Sequence, residues 1–411
     1  MAGVAGVRAL HRRAGVVILN SWCVRSSRYR VLVMKSSKSL LVIATLLLPG
    51  IASPQTASPA EAVALEQQGK LPEAVEAWRA VTEHNPQDVG AFASLGVALA
   101  RETKYKEAAT AYRRAIALNP RLPGIQLNLG LAEYKQGQFQ AAIAPLRAAL
   151  LQDAQNMQAR TLLGLSCYGA KRFVEAAKYL EPAAKADPAN AELHQVLAQS
   201  CLLAKKYFCA QEQFRQILQQ NPDSAAAHML LGQALDGLQR THEAIAEFEA
   251  AAKAAPQEPS VHFGLGYLHW KLRQYDEART EFERELATDP NHAQALAYLG
   301  DVEMKRNNPE NALVLLKKAV QLRNDLRIAY LDLGAILAQQ SRRQEAIVAL
   351  QHAERLDPTQ PDAHLRLGRL YKATGNTVAA QKEFSKLREL HQKADDDIAS
   401  KMSGSVPSLP Q

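Results

Sequence analysis

The sequence predicts an all-α fold, an α-solenoid in which antiparallel helix pairs stack into a right-handed superhelix. Three periodic series carry this prediction. Alanine recurs every 34 residues without a slip, at Ala74, Ala108, Ala142, Ala176, Ala210, Ala244, Ala278, Ala312, Ala346 and Ala380. Glycine shares the period at Gly96, Gly130, Gly164, Gly232, Gly266, Gly300, Gly334 and Gly368, with Ala198 in one vacant place. Proline does so at Pro86, Pro120, Pro188, Pro222, Pro256, Pro290 and Pro358, with Ala154 and Asn324 as departures. Residue types this particular, locked to one period, mark a repeat array. It is predicted over residues 59–394, as about ten repeats starting near residues 55, 89, 123, 157, 191, 225, 259, 293, 327 and 361.

Counting from Val89, position 7 is leucine, as in Leu95, Leu129 and Leu163, and position 8 is the glycine. Apolar spacings of three and four residues predict a first helix. Polar stretches near positions 14 to 17, such as Lys135-Gln136-Gly137-Gln138, break it. A second helix follows, with alanine at position 20 and a large apolar residue at 24: Trp78, Tyr112, Leu146, Leu180, Phe214, Phe248, Phe282, Leu316, Leu350 and Phe384. Proline at position 32 closes it. Glycine within a helix costs about 1 kcal/mol relative to alanine. Its recurrence at one phase implies that the missing side chain lets two backbones approach, with the leucine and the position-24 residue filling the space around them.

The Leu-Gly pair, the alanine at 20, the large residue at 24 and the proline at 32 closely resemble the tetratricopeptide repeat family. The resemblance spans about residues 55–394 and implies protein–protein interaction along a concave groove. Departures exist. Where the family has tryptophan at position 4, this chain has residues such as Phe92, His194, His228, His262 and His364. The first repeat has Glu61-Ala62 in place of Leu-Gly, so it is either a degenerate N-terminal cap or half a repeat. The polar last helix, with Lys382, Lys386, Arg388, His391 and Lys393, suits an end that meets water.

The formal net charge of +8 invites a nucleic-acid reading, which the distribution of charge removes. Eight of the 49 Lys and Arg residues lie in residues 1–52 with no acidic residue, leaving 41 against 41 acidic residues in the remainder. A neutral array offers no electrostatic footprint for phosphate, so no nucleic-acid partner is expected. Residues 34–52 read as a signal peptide: Lys35 and Lys38, a short apolar run from Ser39 to Leu48, then Gly50-Ile51-Ala52. The run is shorter than the roughly 20 residues of a membrane span, so the processed chain is not expected to be an integral membrane protein. Residues 1–33 read as a mis-assigned start or a leader, the alternative being an arginine-rich transit sequence. Residues 53–58 read as a flexible lead-in and 395–411 as a disordered tail. Together these predict an exported protein of the bacterial periplasm, cleaved near Ala52.

Cys201 and Cys209 lie almost opposite each other across one hairpin, and Cys167 and Cys201 at equivalent positions of adjacent repeats. Either pair could bridge in an oxidising compartment, but a buried stripe also accepts unpaired cysteine as an apolar filler. His194, His228 and His262 share position 4. Adjacent helices lie 8–10 Å apart and metal bonds are near 2 Å, so this ladder predicts no metal site. No catalytic motif, cofactor loop or additional domain emerges; Asp236, Asp301 and Arg369 are scattered. No enzyme activity and no cofactor are expected.

At about 100° per residue, positions 2, 5, 9, 12 and 13 form a stripe rotated away from the buried one. The family resemblance makes it the ligand-facing stripe. The peptide-binding candidates are Leu127, Tyr134, Lys135, Tyr168, Gln195, Gln199, Met229, Gln233, Phe263, Tyr267, Trp270, Lys271 and Met304. Phe263, Tyr267 and Trp270, spaced i, i+4 and i+7, place three rings on one helix face, where rigid rings anchor partners. Position 9 holds no asparagine, which argues against clamping of a C-terminal carboxylate. The groove suits an extended or helical peptide. The expected function is a non-catalytic interaction scaffold; the alternative is a structural accessory subunit of an envelope complex, such as polysaccharide export or pilus machinery.

Overall fold

The computed structural model describes residues 58–403. The expectations for the leader, the signal peptide and most of the lead-in fall outside these residues. Among them are twenty helices and no strand. They pair as α1 (Pro59–Gln67) with α2 (Leu71–His84), α3 (Val89–Arg101) with α4 (Tyr105–Leu118), α5 (Ile125–Lys135) with α6 (Phe139–Gln152), α7 (Met157–Gly169) with α8 (Phe173–Ala186) and α9 (Ala191–Leu203) with α10 (Tyr207–Gln220). The series continues with α11 (Ala225–Gly237) and α12 (Thr241–Ala254), α13 (Val261–Lys271) and α14 (Tyr275–Thr288), α15 (Ala293–Lys305) and α16 (Pro309–Leu322), α17 (Arg327–Gln339) and α18 (Arg343–Leu356), and α19 (Pro361–Ala373) and α20 (Thr377–Ser403). The chain divides into an N-terminal body ending at Gln213 and a C-terminal body starting at Phe214. Each is a solenoid of antiparallel helix pairs. Within each body the first helices of successive repeats also touch one another, α3 with α5 and α15 with α17 among them.

The periodic residues occupy the contacts their size predicts. The alanines from Ala74 to Ala346 are fully buried, and Ala380 nearly so. Each position-8 glycine lies against the position-24 side chain of its own hairpin: Gly96 on Tyr112, Gly266 on Phe282, Gly300 on Leu316 and Gly368 on Phe384. A Cβ at Gly266 would stand 2.7 Å from Phe282 Cδ1, inside van der Waals contact. The glycines therefore set the distance between the two helices of each pair.

Every turn between paired helices repeats one lock. Backbone N–H groups at Lys70, Lys104, Gln138, Arg172, Lys206, Arg240, Gln274, Asn308, Arg342 and Asn376 reach back to the carbonyl five residues earlier, at 2.8–3.0 Å. This bond satisfies an orphan carbonyl of the first helix and turns the chain into the second. It requires a left-handed residue just before the donor. Gly69, Gly137 and Gly375 supply three of these; the rest are Thr103, Lys171, Lys205, Gln239, Arg273, Asn307 and Ser341, all with φ between 57° and 64°. The second helices consequently begin at a strict 34-residue spacing. The first helices α5 and α13 start two residues late, behind left-handed Gly124 and Ser260.

Two expectations need correction. The tail expected to be disordered from residue 395 is helical to Ser403. Residues 395–403 contain no glycine or proline, and Ala, Lys and Met continue a helix at low cost; the first breaker is Gly404. The filler reading of the cysteines holds for Cys167, buried and unpaired, whose thiol burial pushes up to about 11. It fails for Cys201 and Cys209, which form a disulfide across the α9–α10 turn with Cα atoms 5.8 Å apart. Helix α1 forms although its repeat lacks the Leu-Gly pair, and buries Ala62 against the array.

Left-handed backbone costs a non-glycine residue about 1–2 kcal/mol, partly offset by the flexibility glycine adds to the unfolded chain. Thr103→Gly should thus raise unfolding free energy by about 0.5–1 kcal/mol, read from a urea midpoint. Gly266→Ala should lower it by about 1–2 kcal/mol, because overpacking against Phe282 exceeds the gain in helix propensity. A stabilised Gly266→Ala protein would show that the close approach is not needed.

Candidate functional site

In the C-terminal body the candidate rings converge. Phe263 and Tyr267 stack with centroids 6.4 Å apart, and Tyr267 and Trp270 at 5.9 Å. Tyr298, from the next first helix, meets Phe263, Tyr267 and Trp270 edge-on at 6.0, 5.5 and 5.0 Å. It also stacks on Phe282 at 6.1 Å. Sequence periodicity did not single out Tyr298, since it sits at position 6 beside the Leu-Gly pair rather than on the predicted stripe. The three candidate rings are half-buried, so each keeps an open part beside a packed one. Burial, helped by Tyr267 and Asp301, pushes the Tyr298 phenol up to about 12.

The start of α13 explains how Phe263 is held. The sequence supplies no side-chain cap at left-handed Ser260. Instead the buried Glu285 carboxylate, from α14, accepts from the backbone N–H groups of Ser260 and Phe263, both at 3.0 Å. A carboxylate at a helix N-terminus also meets the positive end of its dipole. Glu285 thus ties the aromatic helix to its hairpin partner.

Polar groups edge the rings. The Trp270 indole N–H donates to Asp301 Oδ2 at 2.7 Å, and Lys271 Nζ pairs with Asp236 Oδ1 at 2.5 Å. Lys305 Nζ stands 3.6 Å from Asp301. Asp332 is buried on α17 beside Asp301. Desolvation, and then the Asp301 charge, push its carboxyl up to about 8 against the weaker pull of Arg366 and Lys305. The raised value favours the protonated Asp332 carboxyl near neutral pH. The acids that looked scattered in sequence each have a structural partner here. Met304 packs against the neighbouring core cluster, Met229 is half-buried and Gln233 is exposed.

In the N-terminal body the candidates separate. Leu127 and Tyr134 are buried, at 4% and 6% exposure, and are withdrawn as ligand contacts. The stripe argument treated each first helix as free on that side, whereas α5 packs against both α3 and α7. Tyr134 lies edge-on to Phe139 at 5.7 Å. Tyr168 donates to Gln199 Oε1 at 2.6 Å, joining successive first helices. Gln195 is exposed; Lys135 is half-buried, and desolvation lowers its pKa.

The position-4 histidines are braces. His228, His262 and His364 each place Nδ1 2.6–2.7 Å from a carboxylate on the paired helix: Glu247, Glu281 and Glu383. Each directs Nε2 at the carbonyl of Pro222, Pro256 or Pro358, at 2.9–3.2 Å. His194 instead pairs Nδ1 with Gln213 Oε1 at 2.7 Å. One ring thus joins the preceding loop, the first helix and the second.

Comparison with known proteins gives the same architecture. A model of the tetratricopeptide repeat matches residues 60–123, 127–207, 210–259 and 263–326, and a second model of that repeat matches 337–403. No curated protein matches the sequence. Among solved structures the chain is similar to YrrB, a TPR protein with an unusual peptide-binding site, at 23% identity over 47% of this chain and 100% of that one, with a TM-score of 0.37. It is similar to MamA (41-end) from Desulfovibrio magneticus RS-1 at 26% identity over 42% of this chain and 97% of that one, also with a TM-score of 0.37. No helix among the described residues is long and apolar enough to cross a membrane.

The raised Asp332 pKa sets a sign. Between the unfolded value near 3.8 and the folded value near 8, the folded chain holds a proton that the unfolded chain has lost. Stability contributed by that proton is complete below the lower value and falls as pH rises, by up to about 1.4 kcal/mol per unit. Asp332→Asn, which removes the titrating group, should flatten the pH dependence of the melting temperature across this window and raise it at pH values near the upper end. An unchanged slope would show that Asp332 does not hold the proton.

Proposed function

Since the chain belongs to the tetratricopeptide repeat family, we propose that it is a non-catalytic protein-interaction scaffold whose first-helix face in the C-terminal body binds a peptide segment through Tyr267 and Trp270. The observation that carries this is the half-buried stack of Phe263, Tyr267 and Trp270, stiffened by Tyr298 and by the Trp270–Asp301 hydrogen bond. Rings already held in place lose little freedom when a partner covers them, which suits anchors. Asp236, Lys271 and Lys305 at the rim can orient polar groups of a peptide whose apolar side chains meet the rings.

Peptides selected from a displayed random library on the chain from Ser53 onward provide the test. Tyr267→Ala with Trp270→Ala should weaken the selected peptides by about 30-fold or more, the scale of an anchor worth 2 kcal/mol, while far-UV circular dichroism stays unchanged. Equal binding to the double variant would overturn the assignment.

The same proposal places the protein outside the cytoplasm. The signal-like residues 34–52 and the Cys201–Cys209 disulfide support this, because disulfides persist in oxidising compartments. N-terminal sequencing of the protein from a periplasmic fraction should begin at Ser53 or Pro54; a product starting at residue 1 or retained in the cytosol would refute it. Reduction of the short disulfide loop should cost about 2–3 kcal/mol, seen as a lower melting temperature that Cys201→Ala with Cys209→Ala reproduces.

A further inference from the structure

The last helix pair and α18 before it share a cluster the interaction surface does not use. His364 has the same brace as His228 and His262, with one addition. Glu354, the second-last residue but one of α18, brings Oε1 to 3.9 Å from His364 Nδ1, on which Glu383 Oε2 already stands at 2.7 Å. Ten residues before His228 and His262 the corresponding positions are Leu218 and Ala252, which bring no charge. One imidazole thus faces two carboxylates in this repeat alone among the three.

We propose that Glu354, His364 and Glu383 bind a first-row divalent cation of the Zn(II) class. One imidazole nitrogen and two carboxylate oxygens form a mixed N/O donor set suited to such ions. The three donor atoms lie within 4.8 Å of one another, the one convergence of three such side chains among the described residues. Tetrahedral bonds of about 2.0–2.2 Å put donors about 3.4 Å apart. The Glu354 side chain is 30% exposed and free to swing by that difference, whereas His364 and Glu383 are held at 3% and 9%. His364 Nε2 is anchored on the Pro358 carbonyl at 3.1 Å, the outer hydrogen bond that aims a ligating nitrogen at its ion. Charge points the same way. Two carboxylates around one imidazole leave a net negative charge in a largely buried site, which a cation neutralises. The ion replaces any proton on Nδ1, so affinity rises with pH. Solvent reaches the cluster from the Glu354 side, where water completes the coordination.

Calorimetric titration of the chain from Ser53 onward with Zn(II), in a non-chelating buffer, tests this. One equivalent should bind, more tightly at pH about 8 than at about 6. Glu354→Val, which installs the residue found at Val320 one repeat earlier, should weaken binding by on the order of 10–100-fold, and His364→Gln by at least as much. His262→Gln, at a brace lacking the third carboxylate, should leave the affinity and stoichiometry unchanged. Glu354→Val removes a partly exposed charge and keeps the brace, so its melting temperature without metal should match the parent and separate lost binding from lost folding. Absence of saturable binding below about 0.1 mM, or undiminished binding by Glu354→Val, would overturn the site and leave the cluster as an ion pair.

Discussion

The contact between position 8 and position 24 governs the rest of the structure. A ring or branched side chain occupies the space where a Cβ on the opposing helix would stand, as Phe282 does at Gly266. That close approach fixes the spacing within each pair, and the fully buried alanine at position 20 accommodates it. Once the pair is fixed, the first helices of successive repeats meet. The aromatic patch is a by-product of this meeting: Tyr298 reaches Phe263, Tyr267 and Trp270 only because α13 and α15 lie side by side.

Much of this was legible in the sequence, and the part that was not has a common cause. Period and phase identify residues that do the same task in every repeat, so the helices, their turns and the glycine contacts could be read from spacing. Residues that differ from repeat to repeat carry no such signal. Glu285 caps a neighbouring helix because Ser260 there cannot, and nothing in either residue type announces it. The Asp332 carboxyl is raised by burial and by Asp301, a neighbour from another helix that its own sequence context does not reveal. Leu127 and Tyr134 were misplaced for a related reason: a helical wheel gives directions around one axis and does not know which directions a neighbour has filled. The aromatic trio did come together as its i, i+4, i+7 spacing implied, though half packed rather than fully open.

The histidines show how a departure from the family pattern can keep its mechanical task. A flat ring at position 4 still fills the space between loop and hairpin, but imidazole adds two directed hydrogen bonds. Equivalent histidines of successive repeats each have their own amide or carboxylate partner on the paired helix. The polar convergence joins position 4 of one first helix to carboxylates of the second helices on either side of it.

The left-handed turn residues bear on how such an array comes apart. In a stack of repeats, stability is the sum of what each repeat holds alone and what it gains from its neighbours. A strained turn weakens the first term and leaves the second intact, so an interior repeat with two neighbours tolerates what a terminal one does not. The relaxed glycine turns include Gly69 in the first hairpin and Gly375 in the last. The N-terminal hairpin of the first body and the C-terminal hairpin of the second are spared the local strain that seven of the other eight described hairpins carry.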